Sequence, residues 1–233
     1  MRRLGDPELV AREYATVDRL ALRRLDRTGW LSGQEPWTVA LAAIAETGPS
    51  RVLDVGCGAG EFAALLTAPE VVCVDRSPAA VRAARARGLT ARVADAEELP
   101  FADGSFDVVV ASWMLYHVAD RARAIGEMAR VLTPDGRFVG CYNAPDHLHE
   151  LWSSVGVVAD RDDFDARNGA AELGRAFRDV DTGEANGEVS WASRERLQAY
   201  LDAYRELHGP LTAPAGPYPF RARRRNVVFV AAR

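Results

Sequence analysis

Lysine is absent from this chain: all 29 of its basic residues are arginine. Isoleucine occurs only at Ile44 and Ile125 while alanine is abundant, the bias expected of a GC-rich genome. A basic excess is missing too. The formal net charge of −4 disfavours a protein whose main partner is nucleic acid, because such proteins normally carry a basic stripe. Cysteine is scarce and odd in number, with Cys57, Cys73 and Cys141. No disulfide pair or metal motif can be read from their spacing, so buried free thiols in a reducing cytoplasm are expected. Long apolar runs are lacking. Arg2 and Arg3 are not followed by one, so neither a signal peptide nor a membrane span is expected. The 48% of hydrophobic residues argues against disorder, and the length suits one domain or a domain with a cap.

What is present starts at Arg51-Val-Leu-Asp-Val-Gly-Cys-Gly-Ala-Gly60. The aliphatic run Val52 to Val55 predicts a buried strand. It breaks into Gly56, Gly58 and Gly60, where the missing Cβ allows a sharp turn and close approach of a ligand. An aliphatic helix is expected over 61–66. A second buried strand, Val71-Val-Cys-Val-Asp75, ends in an acid placed to accept hydrogen bonds from the ribose hydroxyls of a nucleoside. A dinucleotide site would need G-x-G-x-x-G, and position 61 is Glu.

The form D-x-G-x-G-x-G instead resembles the class I S-adenosylmethionine-dependent methyltransferases. Further segments carry the resemblance in order: Ala94-Asp-Ala-Glu-Glu-Leu-Pro-Phe101, Ser105-Phe-Asp-Val-Val-Val110 with Ser112-Trp-Met-Leu-Tyr-His117, and Arg130-Val-Leu-Thr-Pro-Asp-Gly-Arg137. Together they cover roughly residues 50 to 142. The resemblance implies S-adenosylmethionine as cofactor and S-adenosylhomocysteine as product. It implies a cofactor set of Asp54, Gly56, Cys57, Gly58, Gly60, Asp75, Arg76, Asp95, Ala96, Ser112 and Trp113. Asp54 would orient the loop or meet the cofactor's ammonium, and Asp95 would accept from the adenine amino group. His117 is the candidate base, since the loop after the fourth strand faces the transferred methyl. Tyr14, Tyr116, Asn143 and His147 are candidate substrate residues. His147 and His149 share a face only on a strand, and no metal site is expected.

The implied fold is α/β, a doubly wound, mostly parallel seven-stranded sheet with a helical N-terminal lid and an inserted cap. Residues 1–50 would form the lid, 51–142 the cofactor-binding core, 143–187 the cap and 188–233 the completion of the sheet. Asp6-Pro7 predicts a helix start running towards Leu25, 28–33 a loop, and Pro36 a helix to about Glu46. Ser77-Pro78 starts a helix that stops at Gly88, and another spans 121–131. Residues 143–187, with Asp160, Asp162, Asp163 and Asp165, read as helices and loops. Glu188 to Trp191 is read as a sixth strand, Ser193 caps a helix to about His208, and 226–231 would close the sheet antiparallel.

The function implied is methyl transfer to O or N of a small molecule, with bacterial natural-product tailoring as a setting. The expected protein is a cytoplasmic monomer or homodimer with no nucleic-acid or membrane partner. Two rivals remain open. A nicotinamide-dependent oxidoreductase would want the third glycine and a tyrosine–lysine pair. A non-catalytic S-adenosylmethionine-binding regulator or chaperone would show the same cofactor site.

Overall fold

The computed structural model describes residues 30–158 and 164–233. The expected helix towards Leu25, the candidate Tyr14, and Asp160, Asp162 and Asp163 lie outside the described residues. Strand β1 (Trp30–Gly33) leads into helix α1 (Pro36–Ala45), which opens with Pro36 where an N–H would be unpaired anyway. Then come β2 (Arg51–Val55), β3 (Glu70–Asp75), α2 (Pro78–Ala86), β4 (Thr90–Val93), β5 (Phe106–Val110) and α3 (Arg121–Val131). Strand β6 (Leu132–Asn143) precedes two short helices, α4 (His149–Ser154) and α5 (Gly169–Leu173). The chain ends with β7 (Arg178–Glu184), β8 (Gly187–Trp191), α6 (Arg194–Asp202), α7 (Arg205–His208), β9 (Phe220–Arg224) and β10 (Asn226–Ala232).

Seven strands form the main sheet in the order β4-β3-β2-β5-β6-β10-β7. The first five are parallel, and β10 runs antiparallel between β6 and β7. The order reverses between β2 and β5. At such a switch point the crossovers leave on opposite faces and open a crevice at the C-terminal strand ends. The central strands are buried on both faces, which is why they read as continuous aliphatic runs. Leu53, Val55, Phe138, Tyr142 and Phe229 pack on the face of α3. Val52, Val108, Val110, Val139 and Cys141 pack on the face of Trp37, Ala40 and Ile44 of α1.

Local chemistry sets several boundaries. Ser77 Oγ accepts from Ala80 N, and Gly88 at φ +84 ends the turn after α2. Asp120 accepts from Arg123 N at the start of α3. Arg130 donates to the carbonyls of Leu99 and Phe101 and to Glu127 and Asp103. This clamps the segment after β4 against α3.

Several stretches differ from the sequence reading. Residues 61–66 form only a short 3-10 turn, Ala63–Leu65. Pro69 disfavours a helical Ala68 and β3 begins at the next residue, so a longer helix has no room. Trp30–Gly33, read within a loop, is a strand that pairs antiparallel with β8. Arg178–Glu184, read within a helix-and-loop cap, is the edge strand β7 of the main sheet. Its side chains are mostly exposed, so it has no apolar alternation to detect, and its charges suit an edge. The helix after Ser193 breaks between Asp202 and Arg205. The strand expected at 188–191 is present as β8, but it belongs to a second sheet, β1-β8-β9. That small sheet packs Val189, Trp191 and Ala222 against Leu151, Leu197, Tyr200 and Leu201 of α4 and α6.

Gly33 joins β1 to α1 at φ +94, and a Cβ there would lie 2.1 Å from Asn186 O and 2.5 Å from Gly187 Cα. Backbone atoms cannot move aside as a side chain can. Gly33→Ala is expected to cost about 2–4 kcal/mol from strain plus overlap. Gly88→Ala is the control, because its Cβ would meet open space; it should cost about 1 kcal/mol for the conformation alone. Urea denaturation of the two variants checks the difference.

Candidate active site

The glycine loop wraps the C-terminal end of β3. Gly56 N and Cys57 N both donate to Val74 O, at 2.8 and 3.1 Å. Gly58 N donates to Asp75 Oδ2 at 2.9 Å, and Ser77 N to Asp75 Oδ1 at 2.8 Å. The carboxylate of Asp75 therefore ties the loop to the start of α2. Each of its oxygens keeps a lone pair for a further donor. Burial raises its pKa, and the Ser77 and Gly58 N–H groups and the neighbouring Arg76 cation oppose that rise. Arg76 itself is exposed.

Gly56, Gly58 and Gly60 all have positive φ, at +71, +56 and +76. A Cβ on Gly56 would lie 2.8 Å from Met114 Cβ, and one on Gly60 would lie 2.3 Å from Leu89 Cδ1. The loop is thus glycine for two reasons, its turn geometry and its close neighbours.

Asp54 is 3% exposed, and its Oδ2 has no hydrogen-bond partner. Burial first, and then the charge of Asp75, push its pKa up to about 8. A buried carboxylate oxygen without a donor is costly unless something positive or protonated meets it. An ammonium-bearing ligand would supply that donor, so the residues present fit the amino-acid end of S-adenosylmethionine. Cys57 lies against Cys73, whose hydrogen-bonding contact, with burial, raises the Cys57 thiol well above the ordinary range. All three cysteines are free. Sequence spacing hides the Cys57–Cys73 proximity, which the pairing of β2 with β3 creates.

Asp95 is exposed and accepts from Glu97 N at 3.0 Å, while Ala96 is buried beside it. Both stand in the turn after β4, on the same side of the switch point as Asp75. Across it, Ser112 Oγ accepts from Cys141 N at 3.2 Å. Trp113, at φ +51, donates its backbone N–H to Cys141 O and its indole N–H to Asn143 Oδ1. Tyr116 and His117 sit in the 3-10 turn Leu115–His117, their rings 4.3 Å apart and edge to face. Tyr116 also faces Tyr142. His147 is held at the β9–β10 junction, where its Nδ1 lies 3.0 Å from Arg225 O and 3.2 Å from Arg225 N. Burial and the nearby Arg224 cation push its pKa down to about 3, so it stays neutral at physiological pH.

The structure adds residues the sequence reading missed. Met114 covers the glycine loop. Asn226, 2% exposed, donates to Asn143 Oδ1 at 2.9 Å. Its only sequence signal is a lone amide at the start of an apolar strand. Among the described residues no group of three or more His, Cys, Asp or Glu could hold a metal ion, and no helix is long and apolar enough to cross a membrane.

Comparison with known proteins agrees with this geometry. Residues 53–140 match the family described as methyltransferase domain. A demethylmenaquinone methyltransferase of Thermus thermophilus is 45% identical over 104 residues, 40% of this chain and 47% of that one. An uncharacterized methyltransferase of Mycobacterium bovis is 32% identical over 169 residues, 71% of this chain and 67% of that one. The chain spans about half the length of the first curated relatives it matches. Among solved structures, the [4+2]-cyclase SpnF superposes with a TM-score of 0.60 at 18% identity, over 96% of this chain and 94% of that one. That likeness concerns the fold alone, and a fold shared with a cyclase does not fix the chemistry. With the seven-stranded sheet, the glycine loop and the acid closing β3, these matches show that the chain belongs to the class I S-adenosylmethionine-dependent methyltransferase family.

Proposed function

We propose that this chain transfers a methyl group from S-adenosylmethionine to O or N of a small-molecule acceptor. The observation that carries the reading is the buried, unpartnered Asp54 Oδ2 beside a glycine loop tied to Asp75. S-adenosylmethionine, when bound, supplies a methyl group already activated on a sulfonium. The chain's own tasks are to bind, to align and to exclude water. Asp75 would accept from the ribose and Asp95 from the adenine, with Ala96, Ser112 and Trp113 lining the pocket. Cys57 and Arg76 would complete its rim. His117, in the turn after β5, is the candidate to take a proton from an O–H or N–H nucleophile. Tyr116, Asn143 and His147 are candidate acceptor contacts. Three free thiols support a reducing, cytoplasmic setting, and natural-product tailoring remains part of the proposal.

A second reading is favoured by one relative's name. The Thermus protein is named for demethylmenaquinone, so a quinone-class acceptor belongs among the first compounds assayed. Thermal denaturation with S-adenosylmethionine, S-adenosylhomocysteine and NAD in parallel tests the cofactor. Ligand at about 100 times its Kd adds roughly 2.7 kcal/mol, a rise of about 5–10 °C for a chain of this size. The expected result is a shift with the two adenosyl-sulfur compounds and none with NAD. A shift with NAD alone would sink the reading. Transfer of labelled methyl to phenols, amines and quinols then separates turnover from a purely regulatory site.

A further inference from the structure

Two amides on the far side of the switch point, the half-buried Asn143 and the buried Asn226, can adopt only one orientation. Trp113 Nε1 lies 2.9 Å from the side chain of Asn143. An indole N–H only donates, so the Asn143 atom facing it is the oxygen. The same oxygen meets Asn226 at 2.9 Å. The Asn226 atom facing an oxygen must be its amide nitrogen. One tryptophan thus fixes both amides in a chain that spans β5, β6 and β10.

The two ends of this chain differ. Both lone pairs of Asn143 Oδ1 are taken. Its Nδ2 makes no hydrogen bond to a described residue and is not sealed from solvent. Both of its protons are therefore available at the C-terminal end of β6. Asn226 Oδ1, by contrast, is buried and has no partner. An unmade buried acceptor of this kind costs about 1–3 kcal/mol. Leucine at 226 would avoid that cost. The asparagine brings instead a second donor that locks Asn143 Oδ1 and turns the Asn143 amino group outward.

Asp75 and the glycine loop occupy the β2–β3 side of the switch point. An acceptor must then lie across it, over β5, β6 and β10, where Trp113, Asn143 and Asn226 stand. We propose that Asn143 Nδ2 is a neutral donor for an oxygen of the methyl acceptor, a phenol, enolate or carbonyl oxygen, with Trp113 and Asn226 as its positioning residues. This rests on the methyl-transfer reading above. The network itself contains no charged side chain, so the oxygen it selects is hydrogen-bonded rather than ion-paired.

The test uses the full chain saturated with S-adenosylhomocysteine and 2-naphthol as a stable phenol probe, titrated by calorimetry. Asn143→Asp, which replaces the donor by an acceptor, should weaken 2-naphthol about tenfold or more, the equivalent of one hydrogen bond. Asn226→Leu should also weaken it while the melting temperature holds or rises, a split that a merely structural residue would not give. S-adenosylhomocysteine affinity should change less than 2-naphthol affinity in both variants, because Trp113 is the one residue common to the two sites and keeps its backbone bond to Cys141 O. In wild type, the side-chain amide signals of Asn143 should move as 2-naphthol is added. Equal 2-naphthol affinity in all three proteins, no binding by wild type, or a fall in melting temperature and cofactor affinity together would overturn the proposal. Failure of wild type to bind S-adenosylhomocysteine would instead remove the methyl-transfer reading on which it rests.

Discussion

Asp75→Ala is expected to weaken S-adenosylhomocysteine by two to three orders of magnitude. Two effects combine. The hydrogen bonds proposed between this carboxylate and the ribose would go, each charge-assisted and worth about 1.5–3 kcal/mol. It would also release Gly58 N and Ser77 N, which it now holds at 2.9 and 2.8 Å, and the glycine loop would lose its tie to α2. Asp75→Asn separates the two. The amide oxygen can still accept one loop N–H, so the loop keeps part of its shape while the charge is gone. Calorimetry should place this variant between wild type and Asp75→Ala. If Asp75→Ala binds within about threefold of wild type, the acid is only a cap for Ser77 and the ribose lies elsewhere.

The second large effect is a pH dependence that runs opposite to the usual carboxylate case. The pKa of Asp54 rises in the fold from 3.8 to about 8. Between those values the unfolded chain has lost the proton and the folded chain has kept it. Stability contributed by this group is complete below about pH 4 and declines towards about pH 8, at up to about 1.4 kcal/mol per pH unit. Above that pH the decline stops. Denaturation of ligand-free wild type and of Asp54→Asn from about pH 5 to about pH 8 isolates the term, because the amide cannot titrate. The gap between the two proteins should change in favour of Asp54→Asn as pH rises. A gap that is constant with pH would mean that Asp54 is ionised in the fold. A cationic ligand reverses the balance: an ammonium beside Asp54 stabilises the carboxylate and expels its proton. Binding near pH 7 should then release close to one proton per site, read from calorimetry in buffers of different ionisation enthalpy.

Much of this site is local in sequence, and that part can be read from it. The strand that ends at Val55, the glycines after it, the acid at 75 and the Ser77-Pro78 cap each depend on near neighbours. So does α3, which spans Arg121–Val131 as expected from the sequence. What the sequence hides depends on pairing at a distance. Trp30–Gly33 becomes a strand only because β8 supplies its partner. Strand β7 has an exposed pattern with no period, and its backbone bonds to β10 decide it. Cys57 and Cys73 look unrelated until β2 and β3 lie side by side. The amide of Asn226 acquires a role only when register places it opposite Asn143.

The single 3-10 turn that follows the glycine loop has an electrical consequence. A long helix would aim a column of peptide dipoles at the loop and draw in anions. Here that column is missing from the segment after the loop, and the acidic side chains beside the loop are Asp54 and Asp75. The loop then behaves as a rectifier. A cation pulls the proton from Asp54 and meets a countercharge that its own arrival creates, whereas an anion meets the carboxyls of Asp54 and Asp75 and gains nothing from the short turn that follows the loop. Selection between a sulfonium amino acid and a pyrophosphate thus begins with the sign of the ligand, before any atom of its shape is read.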